Sequence, residues 1–138
     1  MGVRREGREL ALQLLYALEL NPIEVQEMLR LSRENSRASA EEVREFAEEL
    51  VAGVVANRDA IDNIIVDKSK NWAISRMARV DLNIIRLAVF ELLFLSEIPR
   101  NVTINEAIEV AKKFGTEESA SFINGMLDEI ATTNTEKE

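Results

Sequence analysis

The stretch SASFINGMLDEI, Ser119 to Ile130, decides the fold of this chain. Its apolar residues Ala120, Ile123, Met126, Leu127 and Ile130 recur at helical spacing, yet its centre, Asn124-Gly125, is the dipeptide that most strongly favours a hairpin turn. A turn at Gly125 would break the apolar phase, whereas a helix carries it on to Leu127 and Ile130. The stretch therefore reads as helix, with helical dihedrals expected at Gly125. Glycine inside a helix costs about 1 kcal/mol against alanine, so another backbone, or a ligand, is expected to come close there. Phe122 falls at the edge of the apolar stripe and should be half exposed.

Working outward, the same period continues along the chain, which has only five glycines and two prolines and no sustained strand-like alternation. The fold class is all-α, with about seven helices. The first runs from Arg4 to Leu20, with Leu10, Ala11, Leu14, Leu15 and Leu18 on one stripe, and stops at Asn21-Pro22. Pro22 suits the first turn of a short second helix to Leu31. Residues Ser32 to Ser39 look loop-like, and Ser39 with Glu42 makes a capping box for a third helix through Val54. A fourth covers Asp59 to Val66. The segment Asp67 to Ala73 is the expected hinge between an N-terminal half, about 4–67, and a C-terminal half, about 72–131, with Trp72 closing the hinge. Ile74 to Leu95 is the most apolar part and the expected central, buried element. Thr103 and Glu106 form a second capping box, Gly115 stops that helix, and Thr116 or Glu117 opens the last one. The tail 132–138 has no core to join.

Composition narrows the function. The chain of 138 residues contains neither cysteine nor histidine. That removes the commonest zinc ligands, the usual general base near neutral pH and the usual nucleophile-base pairs. There is no glycine-rich phosphate loop and no ligand cluster at metal spacing, so neither enzyme, cofactor nor metal is expected. No apolar run approaches the roughly 20 residues that span a bilayer, and the N-terminus lacks the apolar core of a signal peptide, which points to the cytoplasm. A net charge of −8 argues against indiscriminate binding to nucleic acid, so any polyanion site must be local.

Two constellations could form one. Arg4, Arg5 and Arg8 fall within an arc of about 100° on the first turns of a helix, and Tyr16 lies on the flank beside Arg5. They read either as a phosphate grip with an aromatic surface or as an exposed helix start tied by Arg5-Glu9 pairing. Lys112, Lys113, Phe114 and Gly115 are followed by Ser121, Phe122 and Asn124, where Asn124 offers hydrogen bonds to a base edge and Phe122 a ring. The alternative is tight helix packing against Gly125 with Phe122 as peripheral core. Arg76, Arg79, Asp81 and Arg86 surround an otherwise apolar helix, and Arg86 should pair with a carboxylate, because a buried unpaired guanidinium is expensive.

The order RREGRELALQLLY, then W(x)6RVDLNIIRLAVFELLF, then IPRNVTINEAIEVAKKFGTEESASFINGMLDEIA closely resembles the NusB family, over about residues 4 to 131. The resemblance implies two helical subdomains packed on a shared long helix. It implies a role in transcription antitermination: binding of boxA RNA together with NusE, the ribosomal small-subunit protein, so that RNA polymerase passes terminators, notably in rRNA operons. The arginine-rich N-terminus of the family matches Arg4, Arg5 and Arg8, and its RNA-facing C-terminal motif matches Lys113, Phe114, Ser121, Phe122 and Asn124. The surface around Asp81, Arg86 and Glu91 resembles the region used for NusE. Gly7, where a helix former is common, and Glu6 among the arginines depart from the pattern and point to weak affinity for free RNA. The alternative is a protein-interaction scaffold without RNA binding, as a homodimer burying the surface around residues 76 to 95.

Overall fold

The computed structural model describes residues 2–35, 40–69 and 73–134. It contains seven α-helices and one short 3-10 turn among these residues: α1 (Val3–Leu20), α2 (Val25–Asn35), α3 (Glu41–Ala56), α4 (Arg58–Lys68), the turn Ile74–Arg76, α5 (Arg79–Phe94), α6 (Arg100–Phe114) and α7 (Ser119–Asn134). The all-α expectation holds, and so does the reading of Ser119 to Ile130: α7 runs straight through Asn124-Gly125, and no described glycine has a positive φ.

Several boundaries differ for local reasons. Pro22 precedes α2 and is not in its first turn; the Glu24 carboxylate accepts from the Glu27 N–H at 3.2 Å and caps the helix there. Residues 32–35 continue α2, because Arg30 bridges Glu27 and Glu34 along its exposed side and Arg33 reaches Glu48 of α3. Ser39 of the expected capping box, and Trp72, lie outside the described residues; the N-cap of α3 is Ala40. The stretch 74–95 is not one helix, since the chain turns at Ile74–Arg76 before α5 begins. The second capping box is also replaced. Pro99 is the N-cap of α6, which leaves Thr103 and Glu106 inside the helix and available to other partners.

Helix α5 is the axis of the molecule. Every residue from Leu82 to Leu92 is buried, and α1, α3, α4, α6 and α7 all pack on it. A fully buried aliphatic side chain contributes roughly 1.5–3 kcal/mol, and Ile84, Ile85, Leu87 and Leu92 supply four of them from this one helix. The buried residues of α1 to α7 form one contiguous core that crosses the expected boundary between halves. Helix α1 lies antiparallel to α5: Glu19 meets Arg79 and Arg86, while Arg8 meets Glu91. It also lies close along α3. A Cβ at Gly7 would stand 2.8 Å from the Phe46 ring and 3.3 Å from the Val43 carbonyl oxygen, so the glycine allows the two helices to approach.

Candidate nucleic-acid interface

The basic start of α1 does not present three arginines on one open face. Arg8 is buried, and its Nε and Nη2 each donate to the Glu91 carboxylate at 2.8 Å. A guanidinium held in this way cannot reach a phosphate, which corrects the expectation for Arg8. Arg5 is 36% exposed and forks onto Glu106 of α6, with Nε and Nη2 donating at 2.9 and 2.6 Å. That hydrogen bond, and the charge behind it, raise the Arg5 pKa; the same bond holds Glu106 below its ordinary value against the opposing effect of burial. Arg4 is exposed, its guanidinium carbon 5.8 Å from the centre of the Phe46 ring. The expected Arg5-Glu9 pair is not the one formed: Glu9 accepts from Lys113 of α6 at 2.8 Å.

These contacts lay α1 along α6. Glu106 and Lys113 are seven residues apart on α6, about 10 Å at 1.5 Å per residue. Lys113 is exposed, with its ammonium 5.5 Å from the ring centre of half-buried Phe114, and Gly115 then ends the helix. The corner that follows is tied by Ser119, whose hydroxyl accepts from the Thr116 N–H at 2.9 Å. On α7, Ser121 and Asn124 are exposed and Phe122 is half buried, as expected. Gly125 is exposed too, and a Cβ there would meet nothing within 4 Å. No other part of the protein approaches it, so of the two expected neighbours, a backbone or a ligand, the first is excluded. With Ser121 and Asn124 at helical spacing it forms an open polar stripe beside the Phe122 ring.

The same ring lines a cleft of about 290 Å³ with Arg76, Met77, Ala78, Asp81, Thr116 and Glu118. Phe122 and Asp81 thus come together from positions 41 residues apart. One carboxylate oxygen of Asp81, Oδ1, is buried there without a hydrogen-bond partner among the described residues. The other two residues expected on a partner surface are internal. Glu91 lies in the buried pair with Arg8 and also accepts from the Thr103 hydroxyl at 3.2 Å. Arg86 is buried, its Nε and Nη2 on Asp62 at 2.8 and 2.9 Å and its Nη1 on Glu19 at 2.9 Å. Neither can touch another chain, and the homodimer face expected around residues 76 to 95 is largely α5 inside its own core. Tyr16 is 37% exposed on α1.

Glu106 was legible only as a capping-box residue, and Glu9 only as a partner of Arg5, not of Lys113. Their signal is weak, two glutamates at the borders of apolar stripes on α1 and α6. Among the described residues no group of acidic side chains could hold a metal ion, and no helix is long and apolar enough to cross a membrane.

The model of the NusB family matches residues 5–132. The Transcription antitermination protein NusB of Geobacter sulfurreducens is 58% identical over 137 residues, with 99% of each chain covered. Among solved structures, T. maritima NusB superposes with a TM-score of 0.84 at 37% identity, covering 94% of this chain and 91% of that one. A crystal structure of the antitermination factors NusB and NusE in complex with dsRNA aligns with a TM-score of 0.85 at 28% identity, covering 96% of this chain and 98% of that one. With nearly its whole length matched by the family model and by a relative of that identity, this chain belongs to the NusB family.

Proposed function

We propose that this protein is a transcription antitermination factor that binds boxA RNA of nascent transcripts together with NusE and so assists RNA polymerase through rRNA operons. The observation that carries the reading is the weld between α1 and α6. Arg5 on Glu106 and Lys113 on Glu9 align the exposed cations of α1 with the end of α6, which leads directly into the corner bearing Phe122 and Asn124. One side of the molecule thereby offers guanidinium and ammonium groups for phosphates, a half-exposed ring for stacking, and an amide for a base edge. The solved complex of a relative with NusE and dsRNA supports the same reading.

Within it, Arg4, Arg5 and Lys113 contact phosphate, Phe114, Phe122 and Tyr16 provide aromatic surface, and Ser121 and Asn124 provide polar contacts. Arg8 serves the fold. Asp81 is the surviving member of the NusE surface, facing the cleft it shares with Phe122, so RNA and protein partner meet along one border. The protein works as a binding factor in the cytoplasm, without a catalytic step.

The test is binding of labelled boxA RNA against a scrambled RNA of equal length, with and without NusE, by wild type and by Arg5→Ala/Phe122→Ala. Wild type should prefer boxA, and more strongly with NusE. Loss of one stacking contact is worth about 1–3 kcal/mol, so the double variant should weaken boxA binding at least about tenfold. Equal, weak binding to both RNAs, unchanged by NusE or the substitutions, would refute the reading.

A further inference from the structure

The cations on the proposed RNA side are almost all neutralised from within. Arg5 forks onto Glu106, Lys113 sits on Glu9 at 2.8 Å and Lys112 on Glu109 at 3.2 Å. Only Arg4 there has no carboxylate at ion-pair distance among the described residues. A carboxylate and a phosphate compete for the same donors of arginine and lysine, and the arginine fork fits either.

Glu106 and Glu9 are more enclosed than the cations they hold, and Glu106 has a second counter-ion. Their exposure is lopsided: the side chains of Glu106 and Glu9 are 18% and 12% exposed, against 36% for Arg5 and 53% for Lys113. The carboxylates are seated between α1 and α6 while the cations reach outward, in contrast to Arg30 and Glu27 on α2, exposed 54% and 45%. Glu106 also lies 3.5 Å from Nη1 of buried Arg8. When Arg5 swings away, Glu106 keeps a counter-ion, so the exchange does not strand a half-buried charge.

From this arrangement we infer that Glu106 and Glu9 determine RNA specificity, by holding Arg5 and Lys113 as internal counter-ions that a phosphate must displace. The inference rests on the RNA-binding reading above. An arbitrary polyanion meets cations already satisfied and, on a protein of net charge −8, gains little from the exchange. An RNA that also stacks on Phe122 and meets Asn124 draws the free energy for the exchange from those contacts. The two glutamates thus lower affinity for every RNA and lower it most for the wrong ones.

The experiment measures boxA and scrambled RNA binding in the presence of NusE across a salt series, for wild type, Glu106→Gln, Glu9→Gln, Arg5→Ala and Arg5→Ala/Glu106→Gln, with thermal melting as the check on folding. Each glutamine variant should bind scrambled RNA about two- to fivefold more tightly, as expected for release of a partly exposed ion pair. BoxA should gain less, so the preference falls. The slope of log K against log salt should steepen by about 0.7 for each freed cation. The gain from Glu106→Gln should vanish when Arg5 is absent. Glu9→Gln, which leaves the Arg5 and Arg8 contacts in place, keeps the test intact if Glu106→Gln melts. Greater tightening of scrambled RNA than of boxA in either variant, at preserved fold, supports the inference, and equal tightening of both RNAs overturns it. Unchanged or weaker scrambled-RNA binding in both overturns it while the RNA-binding reading stands. A wild type without boxA preference overturns the reading itself.

Discussion

The two halves of α5 each hold a buried arginine-carboxylate cluster, and they are built in opposite senses. In its first half, α5 supplies the cation: Arg86 donates to Asp62 of α4 and Glu19 of α1, while Asn83 and Arg79 also bond Glu19. Near its end, α5 supplies the anion: Glu91 accepts from Arg8 of α1 and Thr103 of α6, and Glu106 sits beside Arg8 with Arg5 on its outer side. Each cluster joins three helices and satisfies the buried charge with charge-assisted hydrogen bonds, the condition under which a buried ion pair is tolerated. The difference lies in the outer member. Arg79 pairs with Glu19 of α1, whereas Arg5 pairs with Glu106 of α6, the helix that ends in exposed Lys113. The buried member of a charge cluster fixes geometry, and the exposed member is the one that can exchange its partner for a ligand.

The sharpest way to break this comparison is to remove one member of a buried pair. Arg8→Ala or Glu91→Ala should each cost about 3–5 kcal/mol in urea unfolding, because the remaining charge is left buried and alone. Arg86→Ala should cost a similar amount, since it abandons Asp62 as well as Glu19. Replacing both members of one pair by apolar residues of like volume, Arg8→Met/Glu91→Leu, should cost less than either single change. A loss under about 1 kcal/mol for Arg8→Ala would show that the cluster at the end of α5 is not a clamp at all.

A smaller change sharpens the contrast at the same end. Phe90, the residue before Glu91, lies on Gly53 of α3 and stacks on Phe94, ring centres 5.3 Å apart. A Cβ at Gly53 would meet ring atoms of Phe90 closer than any real contact allows, so Gly53→Ala should cost about 1–3 kcal/mol by overpacking. Because Phe90 adjoins Glu91 on α5, amide exchange should rise around Arg8 and Glu91 before it rises around Arg86. Gly125→Ala is the counterpart. Its helical backbone and open surroundings should give a gain of up to about 1 kcal/mol.

These glycines also show what the sequence could and could not convey. Helical period alone located α1, α5, α6 and α7, because apolar phase survives even a turn-favouring pair such as Asn124-Gly125. Close approach was expected at Gly125 but occurs at Gly7 and Gly53, since a missing side chain does not say which helix lies opposite. Arg4, Arg5 and Arg8 share an arc on a helical wheel, yet only the third is buried; the wheel gives direction, and burial depends on α5 and α6 arriving from residues 91 and 106. Thr103 and Glu106 carried a capping-box spacing that Pro99 made redundant by starting the helix earlier. Residue types at the site were legible, and their pairing was not, because every decisive partner is far away in sequence.

The smallest expected effect separates the two halves by acid. At Glu19, burial favours the neutral form, but hydrogen bonds from Arg79 and Asn83 and the charges of Arg79 and Arg86 outweigh it and lower the pKa. At Glu106 the Arg5 hydrogen bond does the same against a lesser effect of burial. A carboxyl whose folded pKa lies below its unfolded value, about 4.3 for glutamate, contributes fully above that value and loses the contribution as pH falls through the folded one. Urea midpoints of wild type should therefore drop as the pH is lowered from about 5, and Glu19→Gln and Glu106→Gln should each flatten that drop. The halves should then part on a second axis. Glu106→Gln alters RNA binding because it frees Arg5, one of the proposed phosphate contacts, while Glu19→Gln should leave it unchanged because Arg86 stays on Asp62 and Arg79 is not among those contacts. Equal effects of the two variants on RNA affinity would mean that Arg5 exchanges with no phosphate and that the two clusters differ only in sense.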